Sequence, residues 1–469
     1  MLVSTARLRI YVVKIANTFS AIAAILLSGL IVPHAHAAFI FTNVLSFEET
    51  NGASPEAALT RGSDGNLYGT TFSGGPGGTL TNGTIFKITP SGTFTSLIPF
   101  NGTNGAGPRA GMIQGADGNF YGTTYSGGTN NAGTVFQFTT NGTLTTLLTF
   151  GFDVTVGAYP IAGLVQGRDG NFYGTTVIGG TNNYGTVFRL GTNGAFALLV
   201  SFDNTNGASP YAGLVQANDG SLYGTTYQGG TNGQGTIYRL TTNGTFTSVY
   251  SFTGTNDGGN PYAGLVQGGD GNFYGTTFYG GTNGNGTVFK FSTNGTLTTL
   301  VSFDGTNGAN PQGGVLQATD GNFYGTTFFG GTNGDGTIFK LTTNGVLTTL
   351  ISFDGTNGAA PEAGLIQSTD GSFYGTTTHG GTNGYGNVFR LGIIVAPPRF
   401  QTATSAGSIL TLTWTASAGQ NYQLQYATNL TQPTWSNLNS SITATNSVMT
   451  TLDTVGPDPQ RFYRILLLP

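Results

Sequence analysis

The sequence predicts an all-β protein, a seven-bladed β-propeller followed by a small β-sandwich. Three observations carry this expectation. A motif of the form Asp-Gly-Asn-Phe-Tyr-Gly-Thr-Thr recurs seven times, at Asp64, Asp117, Asp169, Asp219, Asp270, Asp320 and Asp370. The steps between these aspartates are 50 to 53 residues, which is the span of a four-stranded blade. The repeats also start and stop out of phase. The last one ends after its third strand, at Arg390-Leu391, whereas a lone fourth-type strand, residues 43–47, precedes the first. That spare strand can complete the last blade and so remove the open sheet edges. An open solenoid would gain nothing from the offset and would want polar caps instead.

Composition narrows the class. Of 469 residues only 7% are charged, while 12% are aromatic and 79 are glycine. Regular apolar runs with many aromatics suit a packed β protein. The net charge is −4, with no basic stripe to displace counterions, so nucleic acid is not an expected partner. Cysteine is absent, which excludes disulfides and thiolate chemistry.

The first 37 residues read as a signal peptide. Arg7, Arg9 and Lys14 make a basic region, residues 21–32 an apolar one, and Ala35-His36-Ala37 a cleavage site after Ala37. The apolar run is shorter than the ~20 residues of a membrane span. The expected location is therefore secreted or cell-surface, with no span in the mature chain.

The fifth repeat shows how residues 38–395 are built. Residues 263–267 are a short apolar first strand, and Asp270-Gly271 a two-residue hairpin turn. Residues 273–277 are the second strand, residues 287–291 the third, and residues 296–303 the fourth after a turn at Asn294-Gly295. The D-G-N-F-Y-G-T-T, G-G-T-N and G-T-V-F segments resemble the GloVer-type tandem-repeat family of predicted bacterial secreted proteins, across nearly all of residues 39–392. That resemblance implies secretion and no particular activity. The unit also looks like a kelch blade, in architecture only, since the kelch tryptophan is missing.

Ala396-Pro397-Pro398 forms a linker, after which the repeat disappears and both tryptophans occur, Trp414 and Trp435. Residues 409–414, 422–426 and 462–467 alternate as strands. Within residues 399–469, the Trp-then-Tyr spacing resembles a fibronectin type III or immunoglobulin-like sandwich.

Few residues can do chemistry. The turn aspartates suit the hairpin itself. The third strands carry Lys87, Gln137, Arg189, Arg239, Lys290, Lys340 and Arg390 at one position. Intra-blade ion pairs are therefore expected at Asp64–Lys87, Asp169–Arg189, Asp219–Arg239, Asp270–Lys290, Asp320–Lys340 and Asp370–Arg390, each contributing about 1 kcal/mol or less. The only histidine after the leader is His379, so neither a histidine metal cluster nor a supported triad can be assembled in one chain. Glu56 and Glu362 occupy equivalent positions in the first and last repeats, in loops expected to be solvent-exposed with nothing to raise a carboxyl pKa. No catalytic residue and no metal ligand set is assigned. Calcium is the one cofactor with any basis, at Asp203, Asp304 and Asp354, and each of these loops offers a single carboxylate.

Variation concentrates on the face carrying the two longer connections. After the proline that precedes each first strand stand Glu56, Arg109, Ile161, Tyr211, Tyr262, Gln312 and Glu362. The loop between second and third strands presents Ala132, Tyr184, Gln234, Asn285, Asp335 and Tyr385. Tyr125, Tyr227, Tyr279, Phe329 and His379 precede the double glycines. A fixed scaffold with varied aromatics, amides and charges on one rim is how a binding face is built. The candidate ligand-binding residues are Glu56, Arg109, Tyr184, Tyr211, Tyr262, Gln312, Glu362, His379 and Tyr385. The expected function is a binding or adhesion protein for polysaccharide or another extracellular partner. An extracellular polysaccharide lyase or hydrolase and a structural matrix or surface-layer component are the alternatives.

Overall fold

The computed structural model describes residues 13–16, 23–25, 38–76, 82–394, 397–417, 420–431, 433–454 and 460–468. Among them there is no helix, hence none that could cross a membrane. The expected signal peptide lies outside the described residues, apart from the strands Val13–Ala16 and Ala23–Ile25. The chain divides into two compact units, Phe41–Gly392 and the remainder, so the expected boundary at residue 395 falls slightly earlier.

The larger unit is built of seven four-stranded antiparallel sheets, about one per repeat. In the fifth repeat the strands are Val266–Gln267, Phe273–Thr277, Thr287–Phe291 and Leu297–Ser302, hydrogen-bonded in that order. The seventh sheet combines Ile366–Gln367, Phe373–Thr377 and Asn387–Ile394 with Ala38–Ser46 from before the first repeat.

Each letter of the repeated motif has a physical task. The turn is a three-residue loop, not the two-residue one expected. Gly268 N–H donates to Asn272 O and Gly271 N–H donates to Gly268 O, with Gly271 left-handed at φ 80°. The Asp270 carboxylate accepts from Asn272 N–H at 3.1 Å and from the Tyr274 hydroxyl at 2.8 Å. Gly275 is small because a Cβ there would stand 2.6 Å from the Phe289 ring of the facing strand. Thr277 and Thr287 bond to each other across the ladder at 2.8 Å, fully buried.

Successive repeats pack through the second strand. The Tyr274 ring lies 4.0 Å from that of Phe323 in the next repeat, and Tyr68–Phe120, Tyr121–Phe172, Tyr223–Phe273 and Tyr324–Phe373 repeat the contact. The Gln317 side chain reaches the preceding turn, accepting from Gly269 N–H at 2.8 Å, while its own amide donates to Gly321 O. The seventh repeat packs on the first: Tyr374 and Val388 share a core cluster with Leu59, Leu67 and Phe86, and Thr376 Oγ1 donates to Ala57 O at 3.1 Å.

In the smaller unit, Phe400–Ala406, Ile409–Thr415 and Val448–Thr454 form one antiparallel sheet. Asn421–Ala427 pairs with Gln460–Leu467 in a second, along with Ser436–Asn437 and Ile442–Thr443. Val13–Ala16 adds to the outer edge of Gln460–Leu467. Leu410, Leu412 and Trp414 of the first sheet share one core with Tyr422, Leu424 and Tyr463 of the second. The buried Trp414 indole N–H is satisfied by Thr451 Oγ1 at 3.2 Å.

Candidate functional site

The varied residues before the first strands are set by a backbone elbow that recurs in every repeat. Ser54, Gly107, Tyr159, Ser209, Asn260, Asn310 and Ala360 all adopt left-handed φ, between 51° and 59°, and each is followed by proline. Only one of the seven is glycine, so the remaining six hold a conformation that L-residues disfavour. Two hydrogen bonds hold each elbow. In the fifth repeat the Asn260 N–H donates to Gln234 O of the preceding repeat at 2.7 Å, and Phe278 N–H donates to Asn260 O at 3.2 Å. The same pair recurs in the first repeat: Ser54 N–H donates to Tyr385 O of the seventh repeat and Phe72 N–H to Ser54 O, both at 2.9 Å. Proline then fixes φ, so the next side chain is aimed by the junction between two repeats.

Those side chains converge. Glu56, Arg109, Ile161, Tyr211, Tyr262, Gln312 and Glu362, one from each repeat, line a single cavity of about 180 Å³, together with alanines and glycines of the segments that follow them. A second concavity of about 510 Å³ lies among Asp219, Arg239, Ser248 and Asn294, where nothing but turn and strand surface lines it. Although it is larger, the first is where the repeats vary.

Charge in the cavity is concentrated on one side. Arg109 Nη1 stands 3.3 Å from Glu56 Oε2, without hydrogen-bond alignment. The guanidinium is clamped between Phe72 and Tyr125, 4.7 and 5.0 Å from their ring centres. The Glu56 side chain is only 10% exposed, and its Oε2 has no hydrogen-bond partner. Burial raises the Glu56 carboxyl, and negative Glu362 adds to this while Arg109 opposes it, leaving a value of about 8. Burial likewise raises Glu362 against the pull of Arg109. Both findings correct the expectation of exposed, unperturbed carboxylates. The elbow turns these side chains inward, which no local sequence signal announces.

The aromatic side is equally ordered. Tyr211 stacks on Tyr227 at 4.7 Å and meets Tyr262 edge-on at 5.1 Å, and Tyr262 also touches Phe278. The residues before the double glycines belong to two rows. Tyr125 and Tyr227, like Phe72 and Phe278, pack behind the cavity wall. Tyr279, Phe329 and His379 are exposed one position later. Tyr184 and Tyr385 do not line the cavity: Tyr184 is 39% exposed, and Tyr385 packs partly against the core shared by the first and seventh repeats. Their carbonyls, not their rings, serve the site by holding the Ser209 and Ser54 elbows.

Contact ion pairs occur at Arg239–Asp219 (3.2 Å), Lys290–Asp270 (2.8 Å), Lys340–Asp320 (3.2 Å) and Arg390–Asp370 (2.9 Å). The pairs expected at Asp64–Lys87 and Asp169–Arg189 do not form contacts. Lys87 acts on Asp64 only at longer range, and Arg189 turns to the Tyr173 hydroxyl. As at Asp270, the turn tyrosine still donates to the aspartate, to Asp64 at 2.9 Å and to Asp169 at 2.6 Å. Gln137 similarly donates to Tyr121 Oη. Asp203, Asp304 and Asp354 each close their own loop, accepting from a backbone N–H and a threonine hydroxyl. Among the described residues no three metal-ligating side chains gather.

Comparison with known proteins shows similarity at two levels. Among solved structures, a lectin from Burkholderia pseudomallei is similar with 12% identity and TM-score 0.49, over 79% of this chain and 97% of that one. An ulvan lyase bound to its saccharide has 12% identity and TM-score 0.43, over 73% and 94%. The β-propeller domain of a protease from Pyrococcus furiosus has 11% identity and TM-score 0.42, over 74% and 94%. No curated protein sequence matches the chain. The Gloeobacter/Verrucomicrobia repeat profile matches residues 28–219 and, overlapping, 166–389, and the chain belongs to that family.

Proposed function

We propose that this is an exported carbohydrate-binding protein, with the leader cleaved after Ala37. Its seven sheets form a closed seven-bladed propeller, and its C-terminal unit is a fibronectin type III or immunoglobulin-like sandwich. Closure is supported by the Ser54–Tyr385 and Thr376–Ala57 hydrogen bonds. The observation that carries the function is the convergence of one varied residue from every repeat on a single cavity. Tyrosine faces accept sugar C–H groups, while carboxylates, Arg109 and the Gln312 amide bond to hydroxyls. At about 180 Å³ the cavity lies below the ~300–1,000 Å³ of drug-sized sites, so it takes one sugar ring, not a long segment. Binding of the protein to a panel of glycans and insoluble polysaccharides tests this. Saturable binding that is weakened by Tyr211→Ala supports it, and silence across the panel removes it.

One observation favours a second reading, an enzyme acting on polysaccharide. A carboxyl held near 8 stays protonated at neutral pH and can donate a proton, as a glycosidase acid does. Glu56 would be that acid and Glu362 the base. Release of reducing sugar, abolished by Glu362→Gln, would select this reading over simple binding.

A further inference from the structure

The cavity holds more acids than cations. Two carboxylates, Glu56 and Glu362, enter it from the first and seventh repeats, and one guanidinium, Arg109, enters from the second. Arg109 is held on the Glu56 side: it stands 3.3 Å from Glu56 and lies close to the Phe72 and Tyr125 rings. Among the described residues, no cation comes within ion-pair distance of Glu362, and Arg109 acts on it only from further off. The buried Glu56 Oε2, meanwhile, lacks any hydrogen-bond donor. A buried acceptor without a donor is costly, and a buried charge without a counter-charge more so. The fourth and fifth repeats contribute Tyr211 and Tyr262 to the wall, whose ring faces attract cations as well as C–H groups.

We infer that the cavity selects a sugar carrying a free primary ammonium group, with Glu362 and Glu56 as its counter-ions and Tyr211 and Tyr262 flanking the ring. This rests on the reading of the cavity as a sugar site. A protonated amine brings three donors and one positive charge, which supplies both the missing donor and the missing counter-charge. A neutral or N-acetylated sugar supplies hydroxyl or amide donors without the charge, and a uronate brings the wrong sign. Burial is what chiefly raises Glu56, so a cation held beside it would displace the proton and leave a paired carboxylate. Glu56, Glu362, Arg109, Tyr211 and Tyr262 are the titratable groups facing that position.

Titration calorimetry of the purified protein with β-1,4-linked tetramers of glucosamine, N-acetylglucosamine and glucose tests the inference. The glucosamine tetramer is expected to bind at least about tenfold more tightly than either of the others. Glu362→Gln should reduce that preference severalfold while the protein still melts cooperatively. Comparable affinity for the three tetramers overturns the inference and leaves the sugar site standing. A glucosamine preference that survives both Glu56→Gln and Glu362→Gln also overturns it, by placing the ammonium elsewhere. If these and all other glycans fail to bind, both the inference and the sugar site fall.

Discussion

Glu56 and Arg109 belong to consecutive repeats and stand 3.3 Å apart in one cavity, yet the pair leaves Glu56 Oε2 without a hydrogen bond. An ion pair this poorly aligned does not repay the desolvation of a buried carboxylate. The folded state therefore binds the Glu56 proton more tightly than the unfolded chain does, and the pKa rises to about 8.

Stability should consequently fall as pH rises. When the folded pKa of an acid exceeds its unfolded value, its contribution is fully present below the unfolded pKa, near 4.5, and is lost as pH climbs towards 8. With ~1.4 kcal/mol per pH unit over the interval from 4.5 to 7, the loss from this group by pH 7 is about 3 kcal/mol. Glu56→Gln should flatten the decline in thermal midpoint between pH 5 and pH 8. An equally steep decline in the variant would show that other groups cause it.

Tyr238 should be better as phenylalanine. It is fully buried, and its hydroxyl has no hydrogen-bond partner. The equivalent residues Phe86, Phe136, Phe188, Phe289, Phe339 and Phe389 all lack that oxygen. A buried hydroxyl without a partner costs about 1–3 kcal/mol, so Tyr238→Phe should raise unfolding stability by about 1 kcal/mol in denaturant titrations. A loss of stability would mean the hydroxyl has a partner.

The turn aspartates should matter more than their cations. Asp270 holds Asn272 N–H and the Tyr274 hydroxyl as well as Lys290, and although burial works against it, these bonds keep its carboxyl far below the usual range. The Lys290 and Asp270 side chains are 33% and 40% exposed, so water screens the pair. Lys290→Met should cost about 0.5 kcal/mol or less. Asp270→Ala should cost about 1–2 kcal/mol, because it strips several hydrogen bonds at once. Because the folded pKa is depressed, the aspartate's contribution is present above about pH 4 and lost as pH falls below it. Equal costs for the two substitutions would contradict this ordering.

Within the candidate site, aromatic truncations should separate by position. Tyr262→Ala removes a cavity wall that touches Tyr211, Tyr227 and Phe278, and should weaken sugar binding about tenfold or more. Tyr184→Ala removes an exposed ring outside the cavity and should leave binding unchanged. Affinity measurements on the two variants with a common ligand decide the matter.

Most of the sheet architecture was legible because each motif letter meets a local demand. Gly271 must be left-handed, Gly275 must leave room for Phe289, and Thr277 must reach Thr287. All of these partners lie within one repeat, so spacing alone reveals them. The first strand is shorter than the sequence suggests, since Ala263 and Gly264 line the cavity without joining the ladder. The row Glu56 to Glu362 was visible as variation, but its burial was not. Exposure there depends on an elbow whose hydrogen-bond partner lies in the neighbouring repeat, as Tyr385 does for Ser54. Tyr184 and Tyr385 stand out in the sequence for their side chains, while the structure uses their carbonyls. The repeated proline marks where each elbow lies, but non-glycine residues before it, such as Tyr159 and Ala360, give no sign of a left-handed turn.

A crystal soaked with the tightest-binding oligosaccharide of the panel tests the central claim most directly. The account predicts one sugar ring in the cavity, against Tyr211 and Tyr262 and within hydrogen-bond distance of Glu362. A sugar bound on the outer rim at Tyr279 and Phe329, with the cavity holding only solvent, would contradict it.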